Sequence, residues 1–263
     1  MIISMRRLIP ALSVALAALL VGCGTNSDGP TGTQPDPAGT SSAPATSPAD
    51  PIAVVRQGMD RSLSGALQMD ASVKAGPVSV QLVGKMDPVA RALHITGNAP
   101  EPIEARLIGD VAYIKSASLD GDKPWMKIDL TKLRPGSSMR QSFDLKSQTG
   151  IVGGVVSAEK VGDGRYRGIA DLEKAAEVAS AEAGMRDGIK STAKLAKDPK
   201  AIPFEATVDA DGRLTALSYT VATKSLGDVV TEMRMSDFGK PVTVTAPPAA
   251  EIEEAAEETY QFL

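Results

Sequence analysis

The chain has 263 residues, with 28 basic against 32 acidic side chains, one cysteine and one histidine. A formal net charge of −4 argues against nucleic acid as a partner. A single cysteine forms no internal disulfide, and so few histidine and thiol groups leave little for a zinc site or a nucleophilic triad, so no metal, cofactor or catalytic residue is expected and the chain is not read as an enzyme.

Met1–Arg7 carries Arg6 and Arg7 and no acid, and the uncharged stretch Leu8–Gly22 is rich in Leu, Ala and Val. This is the pattern of a signal peptide over residues 1–22, with an apolar part too short to span a membrane comfortably. It ends in Leu20-Val21-Gly22-Cys23, which resembles the bacterial lipobox. Small residues before the cysteine admit a protease, and the thiol takes a diacylglyceryl group. The resemblance implies that Cys23 is the lipidated first residue of an exported chain, anchored to the outer face of the cell membrane. An ordinary signal peptide with a stray cysteine, or an uncleaved anchor, is the competing reading. Without residues 1–22 the net charge is −6, since two arginines and no acid are lost. Gly24–Asp50 holds Gly, Thr, Ser, Pro, Ala and Asp with no large apolar residue. Such a segment cannot offset its ordering entropy and is expected to be a disordered tether, about 30 Å in reach.

The folded part is expected over residues 51–248, about the size of one domain. Aromatics make up only 3% of the chain, so the interior is aliphatic, which suits either an ordinary core or a cavity for alkyl chains. Asp50-Pro51 is an N-cap followed by proline at the first helical position, and Ile52, Val55, Met59 and Leu63 share one helical face. The period then changes to two. Leu67, Met69, Ala71 and Val73 alternate with polar residues, as do Val78, Val80 and Leu82, and His94 falls in the outward phase of Leu93-His94-Ile95-Thr96. Ile103, Ala105 and Leu107 lead through a Gly109-Asp110 turn into Val111 and Tyr113. Asp120-Gly121 marks another turn before Met126, Ile128 and Leu130, and Gly162-Asp163-Gly164 separates Val155–Val161 from Arg165–Ala170.

Residues 171–198 read as helical, with Leu172, Ala176, Ala179, Ala183, Ile189, Ala193 and Ala196 as an apolar stripe; Gly184 and Gly188 allow one helix or two with a hinge. Pro199 and Pro203 end the helical stretch. Strands follow at Phe204–Asp209, Leu214–Val221 across an Asp211-Gly212 turn, and Val229–Phe238, with a short extended piece at Val242–Val244. The order gives an α+β fold: one large, strongly curved antiparallel sheet with one face in water and the other covered by a few helices.

Several stretches carry a resemblance. Val111-Ala112-Tyr113-Ile114-Lys115 followed by Lys123-Pro124-Trp125-Met126-Lys127-Ile128-Asp129 resembles a hairpin of the LppX/LprAFG family of actinobacterial envelope lipoproteins. Tyr166–Asp171, Pro203–Asp209, and Met235–Val242 with Ala246-Pro247-Pro248 are similar to later strands of that family, in the same order. The resemblance implies a half-barrel closed by helices, like LolA and LolB, around an apolar cavity for acylated lipids or lipoglycans such as phosphatidylinositol mannosides, lipoarabinomannan or phthiocerol esters. It brings no catalytic residues.

The residues whose strand phase turns an apolar side chain inward are Val80, Leu82, Leu93, Ile95, Leu107, Tyr113, Ile128, Leu217, Tyr219 and Met233, the expected lining of a lipid cavity. A carrier of lipid, working as a monomer, is the leading reading. A non-carrier envelope sensor or assembly module, with its sheet filled by its own side chains, is the alternative. Ser191-Thr192-Ala193-Lys194 matches the Ser-x-x-Lys of penicillin-binding proteins, but the partner motifs are missing: Phe238 follows Ser236-Asp237, and no Lys-Thr-Gly occurs. Asp209 and Asp211 read as turn residues, and Trp125 as a strand or core residue in preference to a sugar platform. The acidic stretch over residues 249–263 is given no role.

Overall fold

The computed structural model describes residues 50–98, 101–117, 122–134, 137–144, 150–179 and 184–261. The signal sequence, Cys23, nearly all of the expected tether and the Asp120-Gly121 turn lie outside the described residues.

Helix α1 (Pro51–Ser62) starts as its sequence dictates: Asp50 Oδ1 accepts from Ile52 N at 3.1 Å, with Pro51 in the first turn where its missing N–H costs nothing. Strands β1 (Leu67–Ala75), β2 (Val78–Asp87), β3 (Ala92–Asn98), β4 (Pro102–Ile108), β5 (Val111–Ser116) and β6 (Trp125–Asp129) form a meander. Gly109 supplies the positive φ of 61° that the β4–β5 turn needs. Leu130, expected to continue β6, instead opens a 3-10 turn (Leu130–Lys132) capped by Asp129. After a short helix α2 (Ser138–Ser142) and a 3-10 turn (Gly150–Gly154) come β7 (Val155–Gly162) and β8 (Arg165–Ala170). The long helical stretch is two helices, α3 (Leu172–Val178) and α4 (Gly184–Leu195), of which Asp171 caps the first through Glu173 N and Lys174 N. Strands β9 (Ile202–Val208), β10 (Leu214–Ala222) and β11 (Asp228–Ser236) complete the expected set. Val242–Val244 is not assigned to a strand.

All strands join one sheet in the order β12-β6-β5-β4-β3-β2-β1-β11-β10-β9-β8-β7, where β12 is Ile252–Glu254. The two end strands, β12 and β7, do not pair with each other, so the sheet is open. Every pairing is antiparallel except β12 with β6. The fold class is therefore α+β, one large mostly antiparallel sheet with a few helices.

Helix α1 packs on β7, β9 and β10; a Cβ on its Gly58 would stand 3.4 Å from the side chains of Leu214 and Val208. Helices α3 and α4 pack together, with α3 on the Gly150–Gly154 turn and α2 against α4. Curvature is visible in the glycines of the helix-bearing face. A Cβ on Gly97 would fall 2.0 Å from Gln81 O, and one on Gly84 would fall 2.5 Å from Ile95 Cγ1. The β2 and β3 backbones close in on that side further than any side chain allows, as bent sheets require.

The acidic C-terminal stretch belongs to the fold. Residues 237–251 carry the chain from β11 past six strands to beyond β6; Arg106 Nη1 donates to Thr245 O at 3.0 Å on the way, and Pro247 is buried. Strand β12 then pairs with Trp125–Lys127, Lys127 binds Glu254 at 2.6 Å, and the buried Tyr260 accepts from Asp129 N at 3.0 Å through its hydroxyl. The segment covers what would otherwise be an exposed edge strand.

Candidate functional site

Cross-strand register sorts the side chains into two faces. On the inner, helix-bearing face the rows run across β1, β2, β3, β4 and β5: Leu67, Met86, Leu93, Leu107 and Ala112 form the lowest row, and Met69, Gly84, Ile95, Ala105 and Ile114 the next. Above them lie Ala71, Leu82, Gly97 and Ile103, then Val73 with Val80, and last Ala75 with Val78. On the other side of β1 the same face continues through Met233 and Thr231 of β11 to Leu217 and Tyr219 of β10.

These rows are not equally covered. Leu107 in the lowest row is 0% exposed and Leu82 is 4% exposed, whereas Val78 at the upper end is 51% exposed. Val73, Val80, Gly97, Ile103 and Ala105 are partly buried. The inner face is thus sealed at the end holding Leu67 and Leu107 and opens toward the end holding Val78 and Ile103. The buried members of these rows belong to one core cluster with Leu130, Leu133 and Phe143, and Val80, Ile103 and Ala105 pack against it from the upper side.

Nine of the ten expected lining residues stand on this face: Val80, Leu82, Leu93, Ile95, Leu107, Ile128, Leu217, Tyr219 and Met233. Tyr113 does not. It pairs with Arg106 and Lys127, both in the outer rows, while its neighbours Ala112 and Ile114 face inward. It is nonetheless buried, as is Trp125 on the same outer side. The Arg106 guanidinium lies 4.7 Å from the Trp125 ring centroid, and the Lys115 ammonium 5.8 Å from it. Burial on both faces of β5 removed the alternation that would have fixed the phase of Tyr113. Met69, Met86, Ile103 and Ile114 share the inner rows without having been chosen; the alternation of their own strands carries the signal for the first three, and β5 offers none for Ile114.

Across β10 and β11 the inner face holds a polar pair. Tyr219 lies opposite Thr231, which is buried. Burial raises the phenol pKa of Tyr219, and its hydrogen bond with Thr231 offsets this only in part. The ring can present a neutral hydroxyl to an ester or a sugar.

The remaining candidates have structural work. His94 and Arg106 hold Glu104 on the outer face at 2.8 and 2.7 Å; partial burial pushes the Glu104 carboxyl up, but these bonds outweigh it and leave its pKa below the usual range. Asp209 accepts from Asp211 N and Arg213 N at 3.0 and 2.8 Å, so the pair is turn chemistry. Ser191 and Lys194 are both exposed on α4. Two clefts lie elsewhere. One of about 730 Å³ runs along the outer sides of β7 to β11 between Glu159, Arg167, Glu205 and Glu232. The other, about 700 Å³, lies between α3 and α4 and is bordered by Arg186, Lys190, Lys194 and Lys224.

No family model matches the sequence, and no curated protein matches it. Among solved structures the chain is similar to a LolA superfamily protein from Nitrosomonas europaea, at 8% identity and a TM-score of 0.27, over 81% of this chain and 97% of that one. It is also similar to a DUF1329 family protein from Desulfovibrio piger, at 11% identity and a TM-score of 0.28, over 74% of this chain and 96% of that one. Likeness at this level carries no functional argument.

Proposed function

We propose that the protein is a lipid carrier of the cell envelope, a monomer without catalytic activity that takes the acyl chains of a lipid or lipoglycan onto the inner face of its sheet. The observation that carries this is the slope of the inner face, closed at Leu107 and open at Val78. An ordinary core has little reason to leave Val78 exposed and Val73, Ala75 and Val80 only partly covered at one end of the face, because burying aliphatic surface stabilises by about 25 cal/mol per Å². Ligand sites of this kind are concave and mostly apolar, with a few polar groups, and Tyr219 with Thr231 fits that description.

Chloroform–methanol extraction and native mass spectrometry of the purified protein test the reading. The parent is expected to carry lipid, and Val80→Trp, which sets an indole in the mouth, is expected to lower the bound lipid with little change in stability once lipid has been stripped. A lipid-free parent, together with Val80→Trp costing the roughly 1–3 kcal/mol of an overpacked core, would refute it. One observation favours a second reading, a sensor or assembly module with a filled interior: Leu82, Leu93, Leu107, Ile128, Leu217 and Met233 are all buried by the protein's own atoms. The same experiment separates the two.

The reading includes an anchor at Cys23, on the outer face of the cell membrane. Cys23→Ser is expected to leave an unprocessed precursor or to release a cleaved form into the medium, as seen by immunoblot of cell fractions. Normal maturation with retention on salt-washed membranes would overturn the anchor and leave the carrier reading standing.

A further inference from the structure

Three large apolar side chains stand exposed together at the upper end of the sheet, where β2, β1, β11 and β10 are neighbours. Val78 follows the β1–β2 turn, Leu226 (55% exposed) sits in the β10–β11 turn, and Leu195 (46% exposed) ends α4. Backbone contacts bring them to one place. Leu226 O comes within 4.0 Å of a Cβ position on Gly76, Ala196 bridges to Thr223, and Lys224 N donates to Leu195 O at 2.9 Å. The side chains of Lys74, Lys190, Lys194 and Lys197 are exposed around them and make no ion pair with a described acid, and the exposed Lys224 Nζ donates only to Lys194 O. The exposed acids in the vicinity are Glu177, Asp187, Asp198 and Asp228, against these five lysines, while Glu173 is occupied by Lys200. In a chain with a net charge of −4 this end carries an excess of lysine.

Single exposed apolar residues are ordinary on protein surfaces. A cluster of them ringed by unpaired lysines is the composition that an anionic lipid surface binds, since the ammonium groups meet phosphate while the apolar tips enter the acyl boundary. Two features of the fold point the same way. The inner face opens at this end, and α1 starts toward it, since Arg56 Nη2 donates to Val155 O at the upper end of β7 while Ser62, six residues on, bonds to Leu214 O at the lower end of β10.

We propose that this end is a membrane-docking rim, in which Val78, Leu195 and Leu226 enter an anionic bilayer and Lys74, Lys190, Lys194, Lys197 and Lys224 contact lipid phosphates. Docking here sets the mouth of the inner face against the acyl chains it would receive. The proposal deepens the carrier reading and fails separately from it, because docking is read from side-chain depth and carriage from bound lipid.

The test places one added tryptophan in the full chain at Leu226, Leu195 or Val89, the last being 64% exposed in the β2–β3 turn at the opposite end of the sheet. Emission is recorded with vesicles of phosphatidylcholine and phosphatidylglycerol whose acyl chains are brominated or not, and the Trp125 signal of the parent is subtracted. Leu226→Trp and Leu195→Trp are expected to shift to the blue and to lose their added emission to bromine, and Val89→Trp to keep its emission. Lys74→Gln combined with Lys190→Gln and Lys197→Gln is expected to weaken the quenching. No quenching at either rim position, or equal quenching at Val89→Trp, would overturn the rim. Equal quenching in vesicles of phosphatidylcholine alone would overturn its anionic preference.

Discussion

Leu107→Ala is expected to cost about 3 kcal/mol of folding free energy, whereas Val80→Ala should cost less than about 1 kcal/mol. Leu107 is wholly buried in the lowest inner row, between Leu93 on β3 and Ala112 on β5. Truncation there removes three carbons and leaves a cavity that neighbours pinned in strands cannot fill. Val80 lies in the row next to the last, one below Val78, and is only partly buried, so its truncation exposes surface that water already reaches. Denaturant titration of lipid-stripped protein measures both. For a domain of this size 1 kcal/mol moves Tm by about 2–4 °C, so the two variants should melt visibly apart. Equal costs at the two positions would mean that the face has no floor and mouth, and the carrier reading would lose its main support.

Gly97→Ala is the second large effect. The added Cβ would stand 2.0 Å from Gln81 O and 2.8 Å from Leu82 Cδ2. The first of these is backbone in a paired strand and cannot swing aside, so β2 and β3 must separate. A loss of about 3 kcal/mol, at the upper end of ordinary overpacking, is expected. Gly65→Ala is the control: nothing lies within 4 Å of its Cβ position and its φ is not positive. That change should be neutral or stabilise by about 0.4–1 kcal/mol through the unfolded chain. Thermal melts of the two variants check the contrast. If Gly97→Ala melts with the parent, the close approach of β2 and β3 is not what bends the sheet.

Much of the architecture was legible in the residues because it is encoded over short distances. Asp50-Pro51 set the start of α1, Gly109-Asp110 the β4–β5 turn, and Asp171 the cap of α3, each through a contact within a few positions in the chain. Alternation along β2 to β4 and along β10 and β11 gave the inward phase of eight of the expected residues, because one face of those strands is largely polar and the other largely apolar; the ninth, Ile128, lies on β6. Gly184 left one helix or two open, and the fold has α3 and α4 as separate helices.

What the sequence by itself determined, then, is the kind of each element and which of its faces is apolar. Only the tertiary structure decided where those faces go. In Val111-Ala112-Tyr113-Ile114 both phases are apolar, since β5 is covered on its inner side by the core and is buried on its outer side as well, so periodicity could not place Tyr113. The pairing that gives the acidic tail its role joins Lys127 to Glu254, 127 positions apart, and no local pattern announces it. The slope from Leu107 to Val78 depends on which rows of the sheet the helices and turns reach. The basic, apolar rim is assembled from α4 and two separate turns. These are sums over distant segments, and the chain acquires them only when the strands are registered against one another.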